Sequence, residues 1–96
     1  MTYKLKFLPS AKSEWDRLDN SIKIQFKIKL KKCLENPHIQ SNKLRGFEGA
    51  YKIKLRSVGC RLVYEVDDQE IVIFVIAIGK RENNEIYDKA RNRIKD

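Results

Sequence analysis

The run Ile71-Val72-Ile73-Phe74-Val75-Ile76-Ala77-Ile78 is apolar at every position, and nothing else in the chain restricts its fold so tightly. Successive side chains of a strand point to opposite faces, so a strand without a polar position has to be covered on both. The run therefore predicts the middle strand of a sheet with packing on each side. Two strands lead into it. Tyr51 to Arg56 and Cys60 to Val66 are joined by Ser57-Val58-Gly59, and Asp67-Asp68-Gln69-Glu70 connects the second to the apolar run.

The N-terminal part supplies a fourth strand and two helices. Tyr3, Leu5 and Phe7 alternate with Lys4 and Lys6, the period of a half-buried strand over Tyr3 to Leu8. Pro9-Ser10 ends it, and Ser10 is the predicted N-cap of a short helix with Ala11, Trp15 and Leu18 at i, i+4 and i+7. Asp19-Asn20-Ser21 offers a turn and a second cap. Beyond it, Ile22, Ile24, Phe26, Ile28 and Leu30 alternate as a strand would. A helix explains more: Ile22, Phe26, Leu30, Cys33 and Leu34 form one stripe, the run reaches Glu35, and Asn36-Pro37 stops it. Ile24 and Ile28 then form a second stripe amid Lys23, Lys27, Lys29, Lys31 and Lys32, either a wide core-facing surface or one that a partner covers.

His38 to Gly49 has little periodicity and reads as a loop. In the last segment Asn83 or Asn84 can cap a helix and Glu85 suits its positive end. Ile86, Ala90 and Ile94 pack inward, while Tyr87, about 100° around the helix from Ile86, is left to face a cleft. With 96 residues and no repeat or linker, the chain is expected to be one domain spanning residues 1–96.

Charge narrows the partners. The formal net charge is +8. In the predicted strand Tyr51 to Arg56, the cations Lys52, Lys54 and Arg56 share one face and Tyr51, Ile53 and Leu55 the other. Between residues 43 and 61, Lys43, Arg45, Lys52, Lys54, Arg56 and Arg61 stand against a single acid, Glu48; Lys80 and Arg81 follow at the end of the apolar run. Such crowding costs self-repulsion that a polyanion relieves, so a phosphodiester backbone is the expected partner. The charge is dispersed rather than gathered on one basic amphipathic helix, which argues against a membrane surface. No signal-like region or long apolar run occurs, and Cys33 and Cys60 sit in apolar-periodic segments as buried free thiols would, so a cytoplasmic location is expected.

Familiar catalytic sets are missing. His38 is the only histidine, so two-histidine ribonuclease chemistry is impossible within one chain. No metal-ligand spacing and no glycine-rich phosphate loop appears, and no cofactor is expected. Asp67, Asp68 and Glu70 read as solvated turn residues. Neither cysteine is paired in sequence with a histidine, so nucleophilic catalysis by a thiol is not expected.

The order Asn42-Lys43-Leu44-Arg45-Gly46, Tyr51-Lys52-Ile53-Lys54-Leu55-Arg56-Ser57, Cys60-Arg61-Leu62-Val63-Tyr64 and Gly79-Lys80-Arg81-Glu82 before Tyr87 closely resembles the RelE toxins, bacterial messenger-RNA endonucleases of toxin–antitoxin pairs. The resemblance covers essentially the whole chain, with Cys60 in place of an aromatic residue. It implies a small α/β (α+β) domain with two N-terminal helices packed on a mainly antiparallel, twisted four-stranded sheet and a short C-terminal helix. It implies metal-independent cutting of messenger RNA in the ribosomal A site, by attack of a ribose 2'-hydroxyl on the adjacent phosphorus. The positions matching the catalytic set are Lys52, Lys54, Arg61, Arg81 and Tyr87, with Lys43, Arg45, Arg56, Lys80 and the basic helices as contacts to messenger or ribosomal RNA. The implied partners are messenger RNA, the ribosome, a RelB-like antitoxin and, through the antitoxin complex alone, operator DNA.

Such scission needs a base for the 2'-hydroxyl, positive charge on the phosphorane and an acid for the departing 5'-oxygen. An ordinary phenol titrates near pH 10, so a tyrosine base needs cations beside it, and Lys52 or Lys54 could share the role. Arg81 is the acid that the resemblance implies; a guanidinium suits charge stabilisation better, and water or a lysine could deliver the proton. Arg61 fits bidentate phosphate binding. Two other readings stand beside this one: a non-catalytic basic binding module, and a ParE-like toxin acting on gyrase.

Overall fold

The computed structural model describes residues 2–44, 49–80 and 85–95. Their elements are β1 (Lys4–Phe7), α1 (Pro9–Asp16), α2 (Asn20–Glu35), a single 3₁₀ turn (Gln40–Asn42), β2 (Ala50–Leu55), β3 (Cys60–Asp67), β4 (Val72–Lys80) and α3 (Glu85–Lys95). The four strands form one sheet in the order β1-β4-β3-β2. β4 runs parallel to β1 and antiparallel to β3, which is antiparallel to β2. From Val72 on, the apolar run is thus an interior strand, as its composition predicts, while Ile71 belongs to the preceding turn with a φ of 56°.

Two layers cover the sheet. On one face, Tyr51, Ile53, Leu55, Cys60, Leu62, Tyr64, Ile73, Val75 and Ile78 pack against Ala11 and Trp15 of α1 and Phe26, Leu30 and Cys33 of α2. On the other, Ala50, Val63, Ile76 and Ala77 meet Ile86 and Ala90 of α3, with Leu44 completing this smaller core. A β-bulge lets β4 serve both. Val63 pairs with Ala77 and Tyr64 with Val75, leaving Ile76 as the extra residue, so Ile76 and Ala77 both join the α3 core.

Several local expectations change. Ser10 does not cap α1: Leu8 holds the N-cap position and Pro9 the first turn, where its missing N–H leaves nothing unpaired. Ile24 and Ile28 are each 56% exposed, so α2 has a narrow core stripe and the wide core-facing reading is excluded. The segment after Pro37 is not a plain loop, since it forms the 3₁₀ turn and a bridge from Lys43 to Tyr51. The predicted caps Asn83 and Asn84 lie outside the described residues. Asp67 turns the β3–β4 connection by accepting the N–H groups of Gln69 and Glu70 at 3.1 Å each. Both cysteines are free and buried. Among the described residues, no helix is long and apolar enough to cross a membrane.

Candidate functional site

Strand register gathers the cations before any side chain is considered. Lys52 lies opposite Val63 and Lys54 opposite Arg61, while the alternate pairs Tyr51–Tyr64, Ile53–Leu62 and Leu55–Cys60 face α1 and α2. Lys52, Lys54 and Arg61 therefore share the α3 face, with the two lysines roughly 7 Å apart along the strand. Directly opposed like charges such as Lys54 and Arg61 destabilise an antiparallel pair. This face carries the expense of a cationic cluster.

Arg61 makes the expense plain. Its residue is only 6% exposed, Nη1 donates to the neighbouring Cys60 carbonyl at 3.0 Å, and Nε is buried without a hydrogen-bond partner. A buried N–H of a charged group left unsatisfied costs on the order of 1–3 kcal/mol or more. Gly79 is the residue opposite Arg61 on β4, so no side chain competes for that space. α3 passes close over this position: a Cβ on Gly79 would stand 3.5 Å from Ile86 Cδ1, an ordinary van der Waals contact.

α3 brings the phenol to the cluster. Ile86 and Ala90 are buried, which turns the adjacent, half-buried Tyr87 toward β2. Lys52 Nζ lies 5.8 Å from the centre of the Tyr87 ring. Lys52, Lys54, Arg61 and Tyr87 thus occupy one side of the sheet.

The remaining predicted residues are spread around this centre. β2 ends at Leu55, so Arg56 belongs to the following turn, not to the strand face of Lys52 and Lys54. With Lys29, Lys32, Lys54 and Asn42 it lines a groove of about 610 Å³ between α2 and β2. Lys43 is exposed and bridges to Tyr51 at the outer edge of β2. Lys80 is exposed, and its register opposite Cys60 places it on the α1/α2 side. Arg45 and Arg81 lie outside the described residues. Among the described residues, no group of three or more His, Cys, Asp or Glu side chains could hold a metal ion.

Two polar clusters escaped sequence reasoning. In the first, Glu14 Oε1 accepts the Ile78 N–H at 3.1 Å and Arg93 Nη1 at 2.8 Å, while Oε2 accepts Lys89 Nζ at 2.7 Å. Arg93 Nη1 also donates to the Ile76 carbonyl at 2.8 Å. Burial pushes the Glu14 carboxyl up, but Arg93, Lys89 and the Ile78 N–H outweigh it and hold the group below the usual glutamate range. The signal was present in the chain: Ala11, Glu14, Trp15 and Leu18 fall at i, i+3, i+4 and i+7, which sets a carboxylate on the packed face of α1.

In the second cluster, His38 bridges Tyr51 Oη at 2.9 Å and Asp68 Oδ1 at 2.8 Å, and Tyr3 donates to the same Asp68 oxygen at 2.7 Å. Asp68 is held below its ordinary value by the hydrogen bonds from Tyr3 and His38. Tyr51 stacks on Tyr64, with centroids 5.5 Å apart, and Tyr64 donates to the Pro37 carbonyl at 2.9 Å. This relay sits on the α1/α2 side and fastens the segment after α2 to β1, β2 and the β3–β4 turn. It is scaffold for the strand whose other face carries Lys52 and Lys54.

Comparison with known proteins agrees with this architecture. Residues 5–85 match the family described as the ParE toxin of type II toxin–antitoxin systems. The chain is 51% identical over 94 residues to the mRNA interferase toxin RelE of Escherichia coli strain K12, covering 98% of this chain and 99% of that protein. A free E. coli RelE variant with two arginines changed to alanine superposes with a TM-score of 0.91 at 50% identity, covering 98% of this chain and 99% of the other. The same E. coli variant bound to a RelB antitoxin peptide gives a TM-score of 0.82 at 50% identity, covering 94% and 95%. The chain belongs to the RelE/ParE family of toxins of type II toxin–antitoxin systems.

Proposed function

We propose that this toxin is an mRNA interferase, a metal-independent endoribonuclease that cuts messenger RNA in the ribosomal A site and is silenced by a RelB-like antitoxin. The observation that carries the reading is the α3 face of the β2–β3 hairpin, where Lys52, Lys54 and the buried Arg61 share a side with Tyr87. It agrees with the names of the relatives, an mRNA interferase toxin at 51% identity and RelE seen with its RelB antitoxin.

In this reaction the 2'-hydroxyl loses its proton to Tyr87 or to a neighbouring lysine, Lys52 or Lys54, as its oxygen attacks the adjacent phosphorus. The P–O5' bond then breaks, leaving a 2',3'-cyclic phosphate and a 5'-hydroxyl that takes up a proton from Arg81, a lysine or water. Arg61 supplies positive charge to the phosphate from the same face, and the approaching anion offsets part of the cost of burying that charge. In-line positioning contributes up to about 7–11 kcal/mol and proton transfer roughly 10²- to 10⁴-fold, so a machine that holds the messenger does much of the work. This rationalises dependence on the ribosome. Lys43, Arg45, Arg56 and Lys80 are assigned to RNA contacts around the site. The antitoxin covers the basic face and the exposed Ile24–Ile28 pair, and reaches operator DNA through its own complex.

Cleavage of a defined messenger on purified ribosomes tests the assignment. Tyr87→Phe and Arg81→Ala should each lower the rate by 10² or more while ribosome binding stays near normal. Cutting at the normal rate by both variants would remove the nuclease site. Intact messenger with broken chromosomal DNA after expression would instead favour a gyrase-directed toxin.

A further inference from the structure

β1 pairs with β4 only from Val72 to Val75, and Leu8 N–H adds a last bond to the Val75 carbonyl. Past that point the β1 side of β4 has no neighbouring strand among the described residues, and two side chains take its place. Glu14 accepts the Ile78 N–H, and Arg93 donates to the Ile76 carbonyl. The two side chains are also joined to each other, Arg93 Nη1 and Nη2 reaching Oε1 and Oε2 at 2.8 and 3.3 Å, and Lys89 completes the set on Oε2. Glu14 is 16% exposed and Arg93 22%. The result is a clasp between α1, the open edge of β4 and α3.

α3 needs such a clasp. It has 11 residues, a length at which an isolated helix is marginal in water. Its apolar contacts, Ile86 and Ala90 with the partly buried Tyr87 and Ile94, hold it near the sheet but are non-directional. Rotation and axial slip are governed by directional bonds: Arg93 reaches the Ile76 carbonyl directly, and Glu14 holds both Arg93 and Lys89, on the same helix as Tyr87. A rotation of about 10° moves a side-chain tip roughly 6 Å from the helix axis by about 1 Å. A misplacement of that size can cost a reaction about 10²-fold.

We propose that Glu14 is a positioning residue for RNA scission: by fixing the rotation and register of α3 through Arg93 and Lys89, it keeps Tyr87 beside Lys52 at the reacting 2'-hydroxyl. The inference rests on the role given to Tyr87 above. Because Glu14 carries negative charge, its loss leaves the surface more cationic, so attraction to RNA does not weaken. The expected signature is a fall in kcat without a rise in KM.

Single-turnover cleavage on ribosomes should drop about 10-fold in Glu14→Gln, which keeps an acceptor for the Ile78 N–H, and about 10²-fold in Glu14→Ala, with KM unchanged in both. In a Tyr87→Phe background neither change should slow the residual rate further, because the group being positioned is gone. In the free protein, amide hydrogen exchange across Ile86–Ile94 should quicken at least 10-fold in Glu14→Ala, while β3 and β4 keep their protection. Normal rates for both Glu14 variants beside a crippled Tyr87→Phe would overturn the inference and leave the function standing. An equal loss in the Tyr87→Phe background would reduce Glu14 to a general stabiliser, which also overturns it. Tyr87→Phe cutting like the wild type would remove the role of Tyr87 itself.

Discussion

Leu62 and Arg61 are neighbours on β3, yet they answer to different demands. Leu62 is fully buried against the α1/α2 layer, where the buried strand residues meet apolar partners and the polar atoms of Tyr51, Tyr64 and His38 are paired. Arg61, on the α3 side, is buried with an unpaired Nε opposite another cation, Lys54. One face of the sheet is arranged for stability. The other retains costs that folding alone would remove, which is what a face built to be completed by a polyanion looks like.

Substitutions at these two neighbours should separate the faces. Leu62→Ala opens a cavity in the larger core and should lower unfolding free energy by about 2–5 kcal/mol in a urea titration. Cleavage per folded molecule should stay normal. Arg61→Met should do the reverse: messenger cleavage falls at least 10²-fold, while stability holds or rises by about 1 kcal/mol, as when buried charge is replaced by apolar volume. A strongly destabilised Arg61→Met protein would show that the arginine serves the fold, and the contrast between the faces would collapse.

Alkali probes the stable face. Burial, with the hydrogen bond to Cys33 next, raises the Tyr64 phenol far above its ordinary value. The unfolded phenol ionises near pH 10 and the folded one does not, so stability is whole below about pH 10 and lost as pH rises beyond it, by about 1.4 kcal/mol per unit. Thermal melts between pH 9 and 11.5 should show this slope, and Tyr64→Phe should make it shallower, leaving the part that the raised Cys33 and Cys60 thiols contribute. Tyr64→Phe should also cost about 1–3 kcal/mol at neutral pH, since the Pro37 carbonyl loses its donor.

What the chain discloses in advance follows from how local each device is. The fully apolar β4, the alternation that sends Lys52 and Lys54 to one side of β2, and the Ile86–Ala90 spacing that turns Tyr87 toward them are written in nearest neighbours. The layered architecture and the gathering of four of the predicted catalytic residues on one side could therefore be read. The β4 bulge, the His38–Asp68 contact and the Glu14 clasp depend on groups meeting across the sheet: Glu14 and Arg93 are 79 positions apart in the chain. Arg56 shows the same limit on a smaller scale, because alternation continued one residue past the point where the turn takes over.

A milder test concerns the clasp between the two faces. Glu14 is held below the ordinary glutamate range, so its contribution is complete above about pH 4.5 and is lost as pH falls through the depressed folded value. Over that acid window the stability of the wild type should fall more steeply than that of Glu14→Gln, which has no carboxylate to protonate. Parallel acid curves would mean that the charges on Arg93 and Lys89 contribute nothing net to docking α3.

The smallest effect on folding should come from Ile24→Ser and Ile28→Ser. Both side chains are more than half exposed on α2, one turn apart, and neither belongs to either core. Each change should stay within about 0.5 kcal/mol in a urea titration, the range of ordinary surface positions. If the RelB-like antitoxin covers this pair, each truncation removes apolar burial at that contact alone and should weaken a RelB-like peptide by roughly 5- to 10-fold, about 1 kcal/mol. Cleavage on the ribosome should not change. Loss of stability would place the pair in the core despite its exposure, and undiminished peptide affinity would move the antitoxin elsewhere. Either result would redraw the line between the face that holds this fold together and the surfaces kept for partners.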